Sequence, residues 1–209
     1  MTGADPPISW ESAVGDWPST RGHRLLRAYG DELNAQLAAT WLAEDPRPRM
    51  LLKTDLFDEA VGEGIYPRLK LLADSVHAID ISTQVVEAAR RRYAEIDALE
   101  ADVRKLPYAD GAFDAIVSFS TLDHFESVAE LDAGLSELAR VLSPGGRLLV
   151  SLDNAANPLV ALRNSIRWPR QATNHRRAPR RVCAARSRAP ELPRAPCQEA
   201  RPGSSAVSA

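Results

Sequence analysis

The chain of 209 residues is poor in cysteine and has no long apolar run. Its two cysteines, Cys183 and Cys197, lack CxxC or Cys/His spacing, which argues against a disulfide scaffold and a structural zinc site. No stretch approaches the roughly 18 apolar residues that cross a bilayer, and the mean hydropathy is −0.27. We therefore expect no metal and no membrane partner.

The amino-terminal stretch MTGADPPISW lacks the basic and apolar blocks of a signal peptide. We therefore expect a cytoplasmic protein. With 44% hydrophobic and 26% charged residues, a chain of this length has material for one globular domain and not for two large ones.

The net charge of −2 conceals an uneven distribution of charge. Residues 165–209 hold ten arginines and two acids, whereas residues 1–164 hold sixteen basic and twenty-six acidic side chains. The tail also holds six prolines and nine alanines, so we expect a disordered Arg/Pro/Ala-rich segment. Because its arginines alternate with proline and alanine and have no aromatic platform beside them, we expect no specific nucleic-acid partner.

The first 164 residues alternate between helical and strand patterns, which is typical of an α/β fold. An apolar face at helical spacing runs through Leu26, Tyr29, Leu33, Leu37 and Trp41. Later helices are expected after a cap at Ser82 or Thr83 and after a capping box formed by Ser127 and Glu130, the latter with a buried stripe from Val128 to Leu142. The expected strands are Met50–Phe57, Val76–Ile81, Ala98–Val103, Ala115–Ser120 and Arg147–Leu152.

About five such strands with intervening helices predict a Rossmann-like doubly wound, mainly parallel sheet. Ligands bind such sheets outside the carboxyl ends of the strands. Asp55, Asp80 and Asp102 follow or end the first three strands, and SFSTLDHF follows the fourth. Each acid alone could be a turn or cap residue, but their recurrence at one edge predicts a polar site there.

Three stretches carry a family resemblance: VHAIDIS, LEADVRKLPYADGAFDAIVSFSTLDHF and ELARVLSPGGRLLVS. They resemble the class I S-adenosylmethionine-dependent methyltransferases, especially the small-molecule branch with a Leu-Pro-aromatic segment followed by Phe-Asp. The resemblance covers roughly residues 50–155. It implies S-adenosyl-L-methionine as the cofactor and a small molecule as the methyl acceptor.

The resemblance also implies roles for single residues. Asp80 would accept hydrogen bonds from the two ribose hydroxyls, and Asp102 would accept one from the adenine amino group. The segment from Ser118 to Thr121 would form the floor of the pocket for the methionine end of the cofactor. The cofactor-binding residues expected on this basis are Asp55, Gly62, Gly64, Asp80, Ile81, Asp102, Val103, Ser118 and Phe119.

The first glycine loop departs from the family pattern, in which an acid is followed by Gly-x-Gly-x-Gly. Here Asp55 is followed by LFDEAVGEG, so Phe57 stands where a glycine is expected. The loop could be longer and still bring Gly62 and Gly64 to the cofactor, which we favour. It could instead be occluded by Phe57 and Glu59, leaving a binding module. An NAD site is disfavoured because no GxGxxG follows the first strand.

His124, just after the fourth strand with Asp123 beside it, is the candidate acceptor base, because imidazole titrates near neutral pH. The alternative is that both residues only shape the entry to the next helix. We expect residues 1–45 to form a helical lid carrying Trp10, Trp17 and Trp41, and residues 46–164 to form the cofactor-binding domain.

The expected end of the sheet is also unusual. The resembled fold continues with an antiparallel hairpin, and no strand is expected here after Trp168, which suggests a truncated or frame-shifted carboxyl terminus. The backbone of residues 147–154 should then have an unpaired edge that favours self-association. The rival to a methyltransferase is therefore a catalytically silent binding or interaction protein.

Overall fold

The computed structural model of the protein describes residues 21–43, 46–125, 127–152 and 183–186. Within them, five strands lie parallel in one sheet in the order β3-β2-β1-β4-β5. This order confirms the predicted Rossmann-like doubly wound sheet. The strands are β1 Met50–Lys53, β2 Ser75–Asp80, β3 Asp97–Glu100, β4 Phe113–Phe119 and β5 Leu142–Ser151.

Local sequence signals position two of the described helices. The Ser82 hydroxyl accepts from the Val85 amide at the start of one helix, and Ser127 with Glu130 forms the predicted capping box of another. No helix in the described part of the chain is long and apolar enough to cross a membrane. The helices are α1 Arg21–Leu42, α2 Phe57–Val61, α3 Tyr66–Leu72, α4 Thr83–Arg92 and α5 Val128–Val141, with a 3-10 turn at Leu122–His124.

The sheet is buried on both faces because successive side chains of a strand point to opposite sides. Leu51 belongs to the core that includes residues of α1, α3 and α4. Its neighbour Leu52 belongs to the opposite core, which includes residues of α5. This two-sided burial leaves the strand ends as the place where polar groups gather.

The predicted apolar face of α1 is wrong for most of its length. Leu26 and Tyr29 are 69% and 65% exposed, and the helix buries Ala35, Ala38 and Leu42 instead. The small alanines permit close packing of α1 on the core. The predicted buried stripe of α5 is likewise wrong at its first residue, because Val128 is 73% exposed.

The expectation that no strand follows Trp168 is also wrong. Cys183–Arg186 forms a strand, β6, which pairs antiparallel with β5 from Arg147 to Val150. Pairing of an open edge uses backbone groups, so it does not require the alternating apolar pattern that the tail lacks. The edge expected to be unpaired is therefore paired at Arg147–Val150. The rest of the predicted tail lies outside the described residues, as do Trp10 and Trp17.

Candidate functional site

The structure brings Asp55 and Asp80 to the same edge of the sheet, at the carboxyl ends of β1 and β2. Asp80 Oδ2 accepts from the Leu56 amide at 3.0 Å, and its Oδ1 accepts from the Ser82 amide at 2.9 Å. Asp55 Oδ1 accepts from the Phe57 amide at 3.1 Å. The two carboxylates therefore hold the beginning of the loop after β1.

Burial dominates the ionisation of both carboxyl groups. It raises the pKa of Asp55 to about 7, opposed by the charge of Lys53 and reinforced by that of Asp80. Burial also raises the pKa of Asp80, whereas the hydrogen bonds from the Ser82 and Leu56 amides lower it. Two acids at one edge thus share a poorly solvated environment in which negative charge is costly.

A buried ion pair beneath this loop was missed in the sequence. Lys53 Nζ lies 2.8 Å from Glu59 Oε2, and the two side chains are 6% and 0% exposed. Lys53 also donates to the Asp55 carbonyl. Glu59 Oε1 accepts from the Ile65 amide at 2.9 Å and the Tyr66 amide at 3.0 Å. The signal was a lysine ending the otherwise apolar strand MLLK, since a buried lysine needs a partner.

Glu59 fills the space that Gly64 leaves open. A Cβ at Gly64 would lie 2.4 Å from the Glu59 carboxyl group, and Gly64 has a φ of +64°. Glycine is required here both for this φ and for the close approach of Glu59. At Gly62, a Cβ would lie 3.2 Å from the Asp58 carbonyl oxygen. Cofactor contact by either glycine stays a prediction.

Helix α1 lies against the same loop. Arg27 forms an ion pair with Asp58, and its guanidinium lies 5.1 Å from the centre of the Phe57 ring. Burial raises the pKa of Asp31 to about 6, with Glu59 adding to the rise. Phe57 and Asp58 are thus covered by the amino-terminal helix, which fits the predicted lid position while leaving its function a prediction.

Hydroxyl groups join the ends of β1 and β4. Thr54 Oγ1 lies 2.9 Å from Ser118 Oγ and 2.7 Å from Thr121 Oγ1. Ser118 and Phe119 are buried at the end of β4. Ser120 between them and Thr121 has a φ of +56°, a strained value for a residue other than glycine. The predicted SFST segment is therefore a tightly turned, hydrogen-bonded strand end.

Asp102, beyond β3, is held by an arginine. Arg104 Nη2 lies 2.6 Å from Asp102 Oδ2, while Arg104 Nη1 lies 2.6 Å from Glu130 Oε1. Hydrogen bonds from the Arg104 side chain lower the pKa of Asp102. Val103 is buried beside it, whereas Ile81, at the end of β2, is 55% exposed.

His124 lies in the 3-10 turn after β4, with its side chain exposed. Its backbone amide donates to the Thr121 carbonyl at 3.3 Å. The turn places His124 and Asp123 beyond the same edge as Asp55 and Asp80. In the described residues, no group of three or more His, Cys, Asp or Glu side chains is arranged to hold a metal ion.

The loop between β3 and β4 is fastened by Arg140 of α5. Arg140 donates to the carbonyl oxygens of Leu106 and Tyr108 at 3.0 and 2.8 Å and pairs with Asp110 and Glu137. Glu137 in turn accepts from the Leu106 amide at 2.9 Å. The Leu-Pro-Tyr segment is thereby held against the last turns of α5, and Tyr108 packs on Phe113 at the amino end of β4.

Residues 57–150 match the family described as a methyltransferase domain. Over 136 residues the chain is 37% identical to a demethylmenaquinone methyltransferase of Thermus thermophilus, covering 61% of this chain and 57% of the Thermus protein. It is 34% identical to the probable tRNA methyltransferase 9B of Homo sapiens, covering 50% of this chain and 24% of the human protein. The chain thus spans less than two thirds of either relative.

Among solved structures, the fold is similar to the N-methyltransferase NodS of Bradyrhizobium japonicum in complex with S-adenosyl-L-homocysteine. The TM-score is 0.56 at 18% identity, covering 74% of this chain and 77% of NodS. The parallel sheet, the acidic strand ends and the matched family together define a methyltransferase domain. The match over residues 57–150 and the order of the sheet agree with the resemblance to the class I S-adenosylmethionine-dependent methyltransferases.

Proposed function

We propose that this protein transfers a methyl group from S-adenosyl-L-methionine to a small-molecule acceptor. The observation that carries the proposal is the meeting of Asp55, Asp80 and Asp102 at one edge of a sheet whose residues 57–150 match a methyltransferase domain. Ligands of such sheets bind at this edge. An acidic edge also favours a cofactor with a cationic sulfonium.

Asp80 is the residue proposed to hold the cofactor ribose. Each of its carboxylate oxygens already accepts one backbone amide, and a carboxylate has about four acceptor sites in all. Two sites therefore remain for a vicinal diol. The amides fix the orientation of the group, so its free acceptor sites are in place before a ligand binds.

Asp102 is proposed to accept a hydrogen bond from the adenine amino group, with the Val103 amide beside the ring. Arg104 orients the Asp102 carboxylate through contacts of 2.6 to 3.0 Å. Its hydrogen bonds keep Asp102 ionised, which preserves its acceptor character. Ile81, Ser118 and Phe119 are proposed to complete the surface around the cofactor.

The cofactor supplies an activated methyl group, so the protein contributes chiefly by positioning the acceptor. His124 is proposed to take the proton that the acceptor loses. Its side chain is exposed beyond the end of β4, the strand whose carboxyl end lies beside that of β1 in the sheet. Asp123 precedes it in the same turn.

A small molecule is the proposed acceptor because the charge distribution disfavours a polyanion. Residues 1–164 carry sixteen basic and twenty-six acidic side chains, whereas binding of a phosphate backbone depends on clustered basic groups. Of the relatives compared, the Thermus protein is named for a small-molecule substrate and the human one for tRNA. The acidic balance favours the first kind of acceptor.

Calorimetric titration with S-adenosyl-L-methionine and S-adenosyl-L-homocysteine tests cofactor binding, with NAD as the control ligand. Asp80→Ala should weaken both by about tenfold or more, because charge-assisted hydrogen bonds are worth about 1.5 to 3 kcal/mol each. Asp80→Asn keeps an acceptor for one of the two backbone amides and places an NH2 donor against the other, so hydrogen exchange of the Leu56 and Ser82 amides in each variant separates loss of the loop from loss of the diol contact. If the parent protein binds neither ligand, the proposal that S-adenosyl-L-methionine is its cofactor is refuted.

Turnover on a panel of small acceptors tests the reaction itself. His124→Ala should lower kcat while leaving S-adenosyl-L-homocysteine affinity nearly unchanged. A change in melting temperature alone would assign His124 to packing. Cofactor binding with no turnover on the panel would favour a silent binding protein, and methylation of tRNA alone would contradict the small-molecule acceptor.

A further inference from the structure

The loop that joins β1 to α3, residues 54–65, is fastened at both ends by carboxylates. At its beginning, the Leu56 and Phe57 amides donate to Asp80 and Asp55. At its end, the Ile65 amide, followed by the Tyr66 amide of α3, donates to Glu59. The residues proposed to bind the cofactor therefore share a backbone segment with a carboxylate that the proposed function does not use.

Glu59 is held in turn by the last residue of β1. Lys53 Nζ lies 2.8 Å from Glu59 Oε2 and also donates to the Asp55 carbonyl. The lysine thereby ties the strand end to both halves of the loop. Both charges are buried, and burial of an ion pair is costly unless its remaining hydrogen-bonding capacity is used. Here Glu59 Oε1 accepts two backbone amides of the loop and Lys53 donates to the Asp55 carbonyl, whereas Glu59 Oε2 has no hydrogen bond and has the Lys53 charge beside it.

Gly64 makes this arrangement possible. Its missing side chain leaves the space occupied by the Glu59 carboxyl group, 2.4 Å from the position of a Cβ. In the resembled family, glycines in this loop allow backbone to approach a ligand. In this chain, the described contact made possible by Gly64 is with Glu59.

We propose that Glu59, held by Lys53, is a positioning residue that sets the shape of the loop after β1 and through it the cofactor affinity of Asp55 and Asp80. The Glu59 carboxylate takes over the task that a glycine-rich turn performs in the family pattern. This inference rests on the proposed function. It adds a residue that acts on the site through the backbone and needs no contact with the cofactor.

The first test displaces Glu59 without changing any charge. Gly64→Ala places a methyl group against the Glu59 carboxyl, and Gly145→Ala is its matched control, because Gly145 has a φ of +82° and nothing within 4 Å of its Cβ position. Both substitutions have the cost of a positive φ, but Gly64→Ala alone disturbs the carboxylate. We expect Gly64→Ala to weaken S-adenosyl-L-homocysteine binding about tenfold or more and Gly145→Ala to leave it unchanged.

The second test removes the charge of Glu59. Glu59→Gln is compared with Glu137→Gln, because Glu137 also pairs with a basic residue and accepts a backbone amide, from Leu106. We expect Glu59→Gln to weaken the binding of S-adenosyl-L-methionine and of S-adenosyl-L-homocysteine by the same factor. A loss confined to the cationic S-adenosyl-L-methionine would overturn positioning in favour of a direct effect of charge.

Hydrogen exchange separates this inference from the proposed function. In ligand-free protein, Glu59→Gln and Gly64→Ala should speed exchange of the Leu56, Phe57, Ile65 and Tyr66 amides, and the two control variants should not. Unchanged exchange there would overturn the inference even if either variant melts at a lower temperature. If the parent binds both ligands and the Gly64→Ala and Glu59→Gln variants bind them as tightly as their controls, the inference fails and the proposed function stands.

If the parent binds neither ligand, the proposed function fails, and with it the link from Glu59 to affinity. The exchange measurement still decides whether Glu59 shapes the loop. If Glu59→Gln does not fold, Gly64→Ala supplies the same comparison with all charges retained.

Discussion

Two loops, one after β1 and one between β3 and β4, are each held by a carboxylate that pairs with a basic side chain and accepts a backbone amide. In the loop after β1, Glu59 and its partner Lys53 are both buried. In the loop between β3 and β4, Glu137 and its partner Arg140 are 22% and 31% exposed. The same chemistry is thus used in two different dielectric environments.

The difference determines how strongly each loop depends on its ion pair. Removing one member of a buried pair leaves an uncompensated charge that water cannot reach, which is strongly destabilising. A partly exposed pair can exchange its partner for water at little cost. The pKa of Glu137, lowered to about 2 by Arg140, reflects ordinary pairing, whereas burial raises the pKa of Asp55 beside Lys53.

The largest effect is expected for Lys53→Met. The substitution preserves much of the side-chain volume but leaves the Glu59 carboxylate buried without a counter-charge, so the free energy of unfolding should fall by about 3 to 5 kcal/mol. Chemical denaturation at neutral pH measures it. Lys53→Met combined with Glu59→Gln removes both charges and should recover a large part of the loss. A double variant no more stable than Lys53→Met would contradict the role of the unpaired charge.

The pH dependence of stability should have opposite signs in the two loops. Asp55 has its pKa raised by burial from 3.8 to about 7, so the folded protein binds its proton more tightly than the unfolded chain does. Its contribution to stability should therefore fall as the pH rises from about 4 to about 7. Asp31, with a pKa of about 6, should act in the same direction. Asp55→Asn should flatten this slope in unfolding free energies measured across the range.

Glu137 should make stability depend on pH in the opposite direction. Its pKa is lowered by Arg140 from 4.5 to about 2, so its stabilising contribution is complete above about pH 4.5 and is lost as the pH falls towards 2. Glu137→Gln should remove this acid limb and leave the Asp55 slope intact. If stability of Glu137→Gln falls at low pH as it does in the parent protein, that loss does not come from the pairing of Glu137 with Arg140.

A smaller effect is expected for Arg140→Lys. Lysine keeps the charge but cannot span the Leu106 and Tyr108 carbonyls together with Glu137 and Asp110. Stability should fall by less than in Lys53→Met, and hydrogen exchange of the Leu106 amide should quicken. A loss as large as that of Lys53→Met would remove the distinction between buried and exposed pairs.

The smallest effect is expected for a pair on the surface. Glu32 of α1 lies 3.0 Å from Arg68 of α3, and both side chains are about half exposed. Glu32→Gln should change the free energy of unfolding by less than about 1 kcal/mol. The same denaturation experiment measures it, and a larger loss would indicate that docking of α1 depends on this contact.

Much of the fold could be predicted because its signals are local. The strand and helix periods, the cap at Ser82 and the capping box of Ser127 with Glu130 each lie within a few residues of sequence. The acids Asp55 and Asp80 could be placed at one edge because parallel strands share a direction. The buried face of α1 could not, because it depends on where the opposing core lies: Ala35 and Ala38 are buried there, whereas Leu26 and Tyr29 are exposed.

The sequence by itself determined the alternation of strands and helices, their caps and the acidic strand ends, since each depends on neighbouring residues. Only the tertiary structure decided the pairing of Lys53 with Glu59, the contact of Glu59 with Gly64 and the addition of β6 to the sheet. These contacts arise where segments meet in space, and their energies depend on burial and on free backbone groups that a linear pattern does not display.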